Sequence, residues 1–225
     1  MHIEPGVVDG AKMAFAYATA AGAAGYTAKL AMQDLRGHTV VSFAARAVLA
    51  TVGTFIFFEV LPHFAVGVSE VHFILGTTLF LLLGAAPAAL GLALGLLIQG
   101  AFFAPSDLPM YFVNVTTLLV PLFAITALAR RIIPAHTAYV DLGYAEVLKL
   151  SAMYQGGVVA WVAFWAFYGQ GIGAETFQSV VTFGAAYMLV ILVEPIADLA
   201  VLAGAKALRG IERSGLFTRR LFNAA

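Results

Sequence analysis

Residues 72–104 read HFILGTTLFLLLGAAPAALGLALGLLIQGAFFA, a run without an acid, a lysine or an arginine. It is longer than the ~20 residues that carry a helix across a bilayer. Gly84-Ala85-Ala86-Pro87 divides it into candidate spans 72–84 and 87–104. The first is too short to cross alone, so the turn between them is expected inside the bilayer, covered by protein. The rest of the chain agrees. Of 225 residues, 62% are hydrophobic and 11% charged, against about 25% charged in a soluble domain. The reading is an all-α, polytopic membrane bundle of about seven helices.

Further apolar stretches predict spans at 10–32, 39–61, 109–129, 144–168 and 177–206. Pro195 lies inside the last, which should tilt or kink. With the N-terminus extracytoplasmic and the C-terminus cytoplasmic, Arg36, Arg130, Arg131, Lys206, Arg209, Arg213, Arg219 and Arg220 fall inside. Lys12 stays outside with Glu4, Asp9, Glu70, Asp107 and Glu175, as the positive-inside rule requires. Residues 1–225 read as one transmembrane domain, with 1–9 as an N-terminal metal-binding strap and 207–225 as a basic cytoplasmic tail. No Lys/Arg-rich region precedes the first apolar segment, so that segment is expected to be a retained span.

The chain opens Met1-His2. A free α-amine, the amide of residue 2 and the His2 Nδ1 can close five- and six-membered chelate rings around one metal ion. Three such nitrogens lie nearly in one plane, leaving a fourth in-plane position. That geometry suits Ni(II) or Cu(II), whereas zinc prefers a tetrahedron. Topology puts His63 and His72 on the same face as His2, while His38 and His136 fall in cytoplasmic loops and are expected to be solvated. His72, opening an apolar run, is the preferred fourth ligand. Glu70 and Ser69 are expected around it, fixing its tautomer. Asn114 and Gln99 sit at the depth needed to hold the strap. Glu4-Pro5-Gly6 lets the first residues fold back, and Asp9 suits an N-cap.

Charges within the spans read as structural. Arg46 and Asp198 have comparable depth and are expected to pair; Glu194 shares a helix face with Asp198; Glu59 snorkels. Ala14, Ala18 and Gly22, the parallel set Ala16, Ala20, Ala24 and Ala28, and Gly91 with Gly95 form small-residue faces for close helix contact. The first span has more of them than one internal contact needs. There is no cysteine, which excludes disulfides and thiolate sites. A net charge of zero gives no argument for nucleic acid. No phosphate loop, HExxH or Gly-x-Ser-x-Gly occurs, which argues against an enzyme. A metal sensor, or a carrier or channel working without an ATPase, is the alternative class.

These features resemble the CbiM/NikM family, the metal-binding membrane components of energy-coupling-factor nickel and cobalt importers. The resemblance rests on Met1-His2-Ile3-Glu4, on the loop histidine His72, on Leu97-Ile98-Gln99-Gly100-Ala101-Phe102-Phe103-Ala104 and on Asn114. It covers about the first 130 residues. Where the family has a loop close to Gly-Thr-Ser-x-His, this chain has Ser69-Glu70-Val71-His72. The resemblance implies a square-planar site from the Met1 amine, the His2 amide and imidazole, and His72. Its cargo would be Ni2+ or Co2+, with Cu2+ as a further candidate, and no organic cofactor. It also implies a transmembrane coupling subunit, two cytoplasmic ATPase subunits, and residence in a prokaryotic cytoplasmic membrane.

Overall fold

The computed structural model describes residues 2–134 and 137–207. Met1, His136, Arg209, Arg213, Arg219, Arg220 and the tail from 208 onward lie outside them. Seven α-helices and one hairpin make up the described chain. A 3-10 turn (Gly10–Lys12) leads into α1 (Met13–Asp34), and α2 (Val40–Phe55) continues through a π-helical turn (Ile56–Val60). The hairpin of β1 (Phe64–Val66) and β2 (Ser69–Val71) precedes α3 (Gly76–Leu83) and α4 (Ala85–Phe102). Then come α5 (Tyr111–Ile132), α6 (Tyr144–Gln170) and α7 (Ala174–Ala207).

Among the described residues, five segments are long and apolar enough to cross a membrane: Val40–Val60, Ala85–Phe102, Pro105–Ile132, Tyr144–Gln170 and Ala174–Ala207. Val41 and Val48 on α2 and Leu189, Leu192 and Ile196 on α7 are exposed, as lipid-facing side chains would be. At 1.5 Å per residue the 34 residues of α7 extend about 51 Å, well beyond a hydrocarbon core of ~30 Å, so this helix must tilt or project from the bilayer. Pro195 sits within it without ending it.

The third span departs from the sequence reading. Helix begins at Gly76, not at residue 72, and 72–75 are non-helical. The cause lies far along the chain. The buried Glu194 carboxylate of α7 accepts the N–H groups of Ile74 and Leu75, and Leu75 turns through a left-handed conformation at φ 50°. His72 is thereby left on an irregular segment. At the other end, Gly84 alone separates α3 from α4. Its φ of 94° is one that glycine adopts without a Cβ penalty. Pro87 falls in the first turn of α4, where no intrahelical N–H is lost.

Arg46 does not pair with Asp198. Its guanidinium donates to Asp34 at 2.5 and 3.0 Å and to the Leu83 carbonyl at 2.7 Å. It thus neutralises one acid and satisfies a carbonyl at the end of α3. Asp198 instead accepts from the Thr78 hydroxyl. His38, expected in solvent, sits 3.1 Å from Asp34 and is half-buried. Asp9 lies at the N-cap of the 3-10 turn, but its side chain makes no capping bond.

Small residues divide into two roles. A Cβ on Gly91 would fall 2.2 Å from the Ala50 Cβ, and one on Gly95 would fall 2.6 Å from the Thr54 Cβ, so these glycines let α4 lie directly on α2. On α1, Ala16, Ala20, Ala23, Thr27 and Leu30 are buried. Ala14, Ala18 and Gly22 face outward, as do Ala24 and Ala28.

Candidate metal centre

The N-terminal strap reaches the hairpin as a short third strand. Ile3 pairs antiparallel with Ser69 through two bonds, Glu4 N–H to the Val68 carbonyl at 3.1 Å and Glu70 N–H to the His2 carbonyl at 2.8 Å. This is the non-hydrogen-bonded type of pair, in which the Ile3 N–H points away from the neighbouring strand. Asn114 of α5 meets it: its Oδ1 accepts from Ile3 N at 2.8 Å, with both residues buried. Ser69 Oγ donates to the His2 carbonyl at 3.0 Å. Ile3, Val7 and Val8 then enter the core, and Lys12 donates to the Gly169 carbonyl at the end of α6 at 2.5 Å.

Alternation along an extended chain puts Glu70 and His72 on the face opposite Ser69. Three donor atoms converge there. His2 Nδ1 lies 3.0 Å from His72 Nε2 and 2.9 Å from Glu70 Oε2, and His72 Nε2 lies 2.8 Å from the same oxygen. Both imidazoles are buried, whereas the Glu70 side chain is 24% exposed. Phe58, from the π-helical turn, packs on both rings at 5.8 and 5.2 Å, and His63 stacks on His72 at 4.8 Å. His63 Nδ1 sits 3.2 Å from the Leu61 carbonyl. Among the described residues, His2 Nε2 and His72 Nδ1 have no hydrogen-bond partner.

Burial pushes His2 and His72 below the ordinary histidine value, against the opposing pull of Glu70. Burial alone would raise the Glu70 carboxyl, but hydrogen bonding to both imidazoles holds it well below the usual carboxylate range. Two neutral imidazoles and one carboxylate result, the protonation state in which such groups act as metal ligands.

The other residues singled out from sequence are distributed around this cluster. Glu70, expected to fix an imidazole tautomer, meets the ring nitrogens by which His2 and His72 face each other. Ser69 and Asn114 hold strap backbone rather than a ring. Gln99 is buried beside a cleft of about 10 Å³ that it lines with His2 and Asn114, room for roughly one water. Its Nε2 donates to Glu59 at 3.4 Å, so Glu59 is engaged rather than snorkelling free. Sequence reasoning missed Phe58, which carries no signal beyond its apolar run. It also assigned no tether to Glu194, although an acid within a span is itself a flag.

The fold and this cluster define a multi-pass membrane protein with nitrogen and oxygen donors gathered at one end of its bundle. A family model described as the cobalt uptake substrate-specific transmembrane region, CbiM, matches residues 2–210. The chain belongs to that family, and the match extends through the C-terminal half, beyond the first 130 residues that carry the motifs. No curated protein and no solved structure matches it.

Proposed function

We propose that this chain is the substrate-binding subunit of an ATP-driven importer for Ni2+ or Co2+, capturing the ion at the extracytoplasmic face. The observation that carries the reading is the meeting of His2 Nδ1 and His72 Nε2 at 3.0 Å, both rings buried, from positions 70 residues apart. The Met1 amine and the His2 amide would complete a chelate plane with His2 Nδ1, and His72 would take its fourth position. Orientation is supported by Arg36, Arg130, Arg131 and Lys206, which follow or end α1, α5 and α7, through the positive-inside rule.

The chain has no phosphate loop, so accumulation against a gradient requires hydrolysis on other subunits. A transmembrane coupling subunit and two cytoplasmic ATPases are the partners this reading requires. The outward face of α1 at Ala14, Ala18 and Gly22 allows a partner helix to approach closely. The test uses the full chain with an unmodified N-terminus. It should bind Ni2+ or Co2+ in detergent, lose that binding when the amine is acetylated or a residue precedes Met1, and show no uphill transport alone in liposomes. Unchanged affinity after acetylation would overturn the amine as ligand. Concentrative uptake by the isolated chain would overturn the ATP-coupled reading in favour of a carrier.

A further inference from the structure

We propose that Glu70 supplies an axial carboxylate oxygen to the transported ion, making the site one for a five- or six-coordinate dication such as Co2+ in preference to four-coordinate, square-planar Ni2+. This rests on the metal-site reading above and deepens it.

The three donor atoms form a nearly equilateral triangle with edges of 2.8, 2.9 and 3.0 Å. With metal–donor bonds of about 2.0–2.1 Å, two ligands at right angles stand about 2.8–3.0 Å apart. A tetrahedral pair would be about 3.3–3.4 Å apart, and a trans pair in a square about 4.0–4.2 Å. All three edges match the right-angle value. Three mutually perpendicular ligands are one face of an octahedron, or the apex and one basal edge of a square pyramid. They cannot all belong to one square plane, because any three corners of a square include a trans pair.

On the metal-site reading above, chelate rings would tie His2 Nδ1 to the plane of the amine and amide. One of the other two donors must therefore stand off that plane. A carboxylate oxygen is a weaker-field donor than an imidazole nitrogen, so the axis falls to Glu70 and the plane keeps its four nitrogens. Both imidazole nitrogens converge on the same Glu70 carboxylate oxygen. Charge points the same way. A dication bound by a deprotonated amide keeps one positive charge, which the Glu70 carboxylate cancels, and an uncompensated charge beside buried rings is costly.

An imposed axial donor removes the advantage that low-spin Ni(II) draws from a four-coordinate plane, and Cu(II) tolerates only a long, weak one. Co(II) accommodates it. The experiment is magnetic susceptibility and d–d absorption of the Ni2+-loaded protein, together with Co2+ and Ni2+ affinities for wild type, Glu70→Ala and Glu70→Gln. Wild type with Ni2+ should be paramagnetic. Glu70→Ala should still bind Ni2+ through the nitrogens but become diamagnetic, its d–d band shifting to higher energy. The ratio of Co2+ to Ni2+ affinity should fall about tenfold or more. Glu70→Gln, which keeps the side-chain volume, should lower the ratio in the same direction. Diamagnetic wild-type Ni2+ protein, or an unchanged affinity ratio in both variants, would overturn the axial role while leaving the nitrogen site standing. Absence of any metal binding by wild type would overturn both.

Discussion

Asn114→Ala is the sharpest test of how the strap is held. Ile3 N–H points away from the hairpin, and the Asn114 Oδ1 at 2.8 Å is its acceptor, with Ile3 and Asn114 0% and 1% exposed. Removing the acceptor leaves a buried donor unpaired, which costs about 1–3 kcal/mol. Among the described residues Asn114 Nδ2 is itself buried without a partner, so deleting it recovers part of that cost and places the net effect at about 1.4 kcal/mol, a factor of ten. The assay is native-state hydrogen exchange at the Glu4 and Glu70 amides, whose bonds to Val68 and His2 break only when the strap lifts. Their exchange should quicken about tenfold in the variant. Ser69→Ala should do less, because the His2 carbonyl keeps the Glu70 N–H after losing the hydroxyl. Unchanged exchange in Asn114→Ala, or a larger effect in Ser69→Ala, would refute the assignment of Asn114 as the strap's anchor.

Replacing His72 by Ala should abolish most Ni2+ binding by calorimetry, whereas His63→Ala, removing a stacked ring whose Nδ1 faces the Leu61 carbonyl, should change affinity by less than about tenfold; the reverse ranking would exchange their roles. Strap docking should also depend on pH. His2 and His72 titrate lower folded than free, so the undocked strap binds more protons. Their contribution to docking is then fully present above about pH 6.5 and is lost progressively as pH falls below that value. Glu70, also held low, adds loss in the same direction at lower pH. Exchange at the Glu70 amide, corrected for its intrinsic rate, should rise between about pH 6.5 and 5, and a flat profile would contradict the burial argument. Ala18→Leu, on the outward face of α1, should block cellular metal uptake while leaving affinity in detergent unchanged; equal loss of both would show an internal packing role.

Much of the bundle is legible locally because a spanning helix must be apolar along its whole length, whatever it packs against. The ends of α2, α4, α6 and α7 therefore fall within a few residues of the expected limits. The start of α3 is different. Residues 73–75 are as apolar as the helix that follows, and the Glu194 carboxylate, 120 positions away from Ile74, accepts the Ile74 and Leu75 N–H groups and holds them out of it. Arg46 shows a second limit. Depth along a span can be counted from sequence, but the angle around the bundle cannot: depth matches Arg46 with Asp198, whereas Asp34, beyond the expected end of the first span, is the acid that meets it.

The candidate centre combines both situations. Met1-His2 is a chelating sequence by covalent geometry alone, and His72 is placed by its position ahead of an apolar run. Glu70 needs more. It reaches the two imidazoles because β2 alternates its side chains, because the turn at Gly67 with φ 65° returns β2 along β1, and because the strap adds itself to that edge. Each condition involves backbone pairing between segments that carry no complementary signal in sequence. The same dependence explains why the centre is assembled on the strap and on extended or irregular backbone rather than within a helix. Donors from positions 2, 70 and 72 can come within 3.0 Å of one another only if the strap and the chain entering α3 both stay extended. The bonds that keep them so come from Asn114 on α5 and Glu194 on α7. Two helices of the bundle thus set the spacing of the donors without contributing a donor themselves.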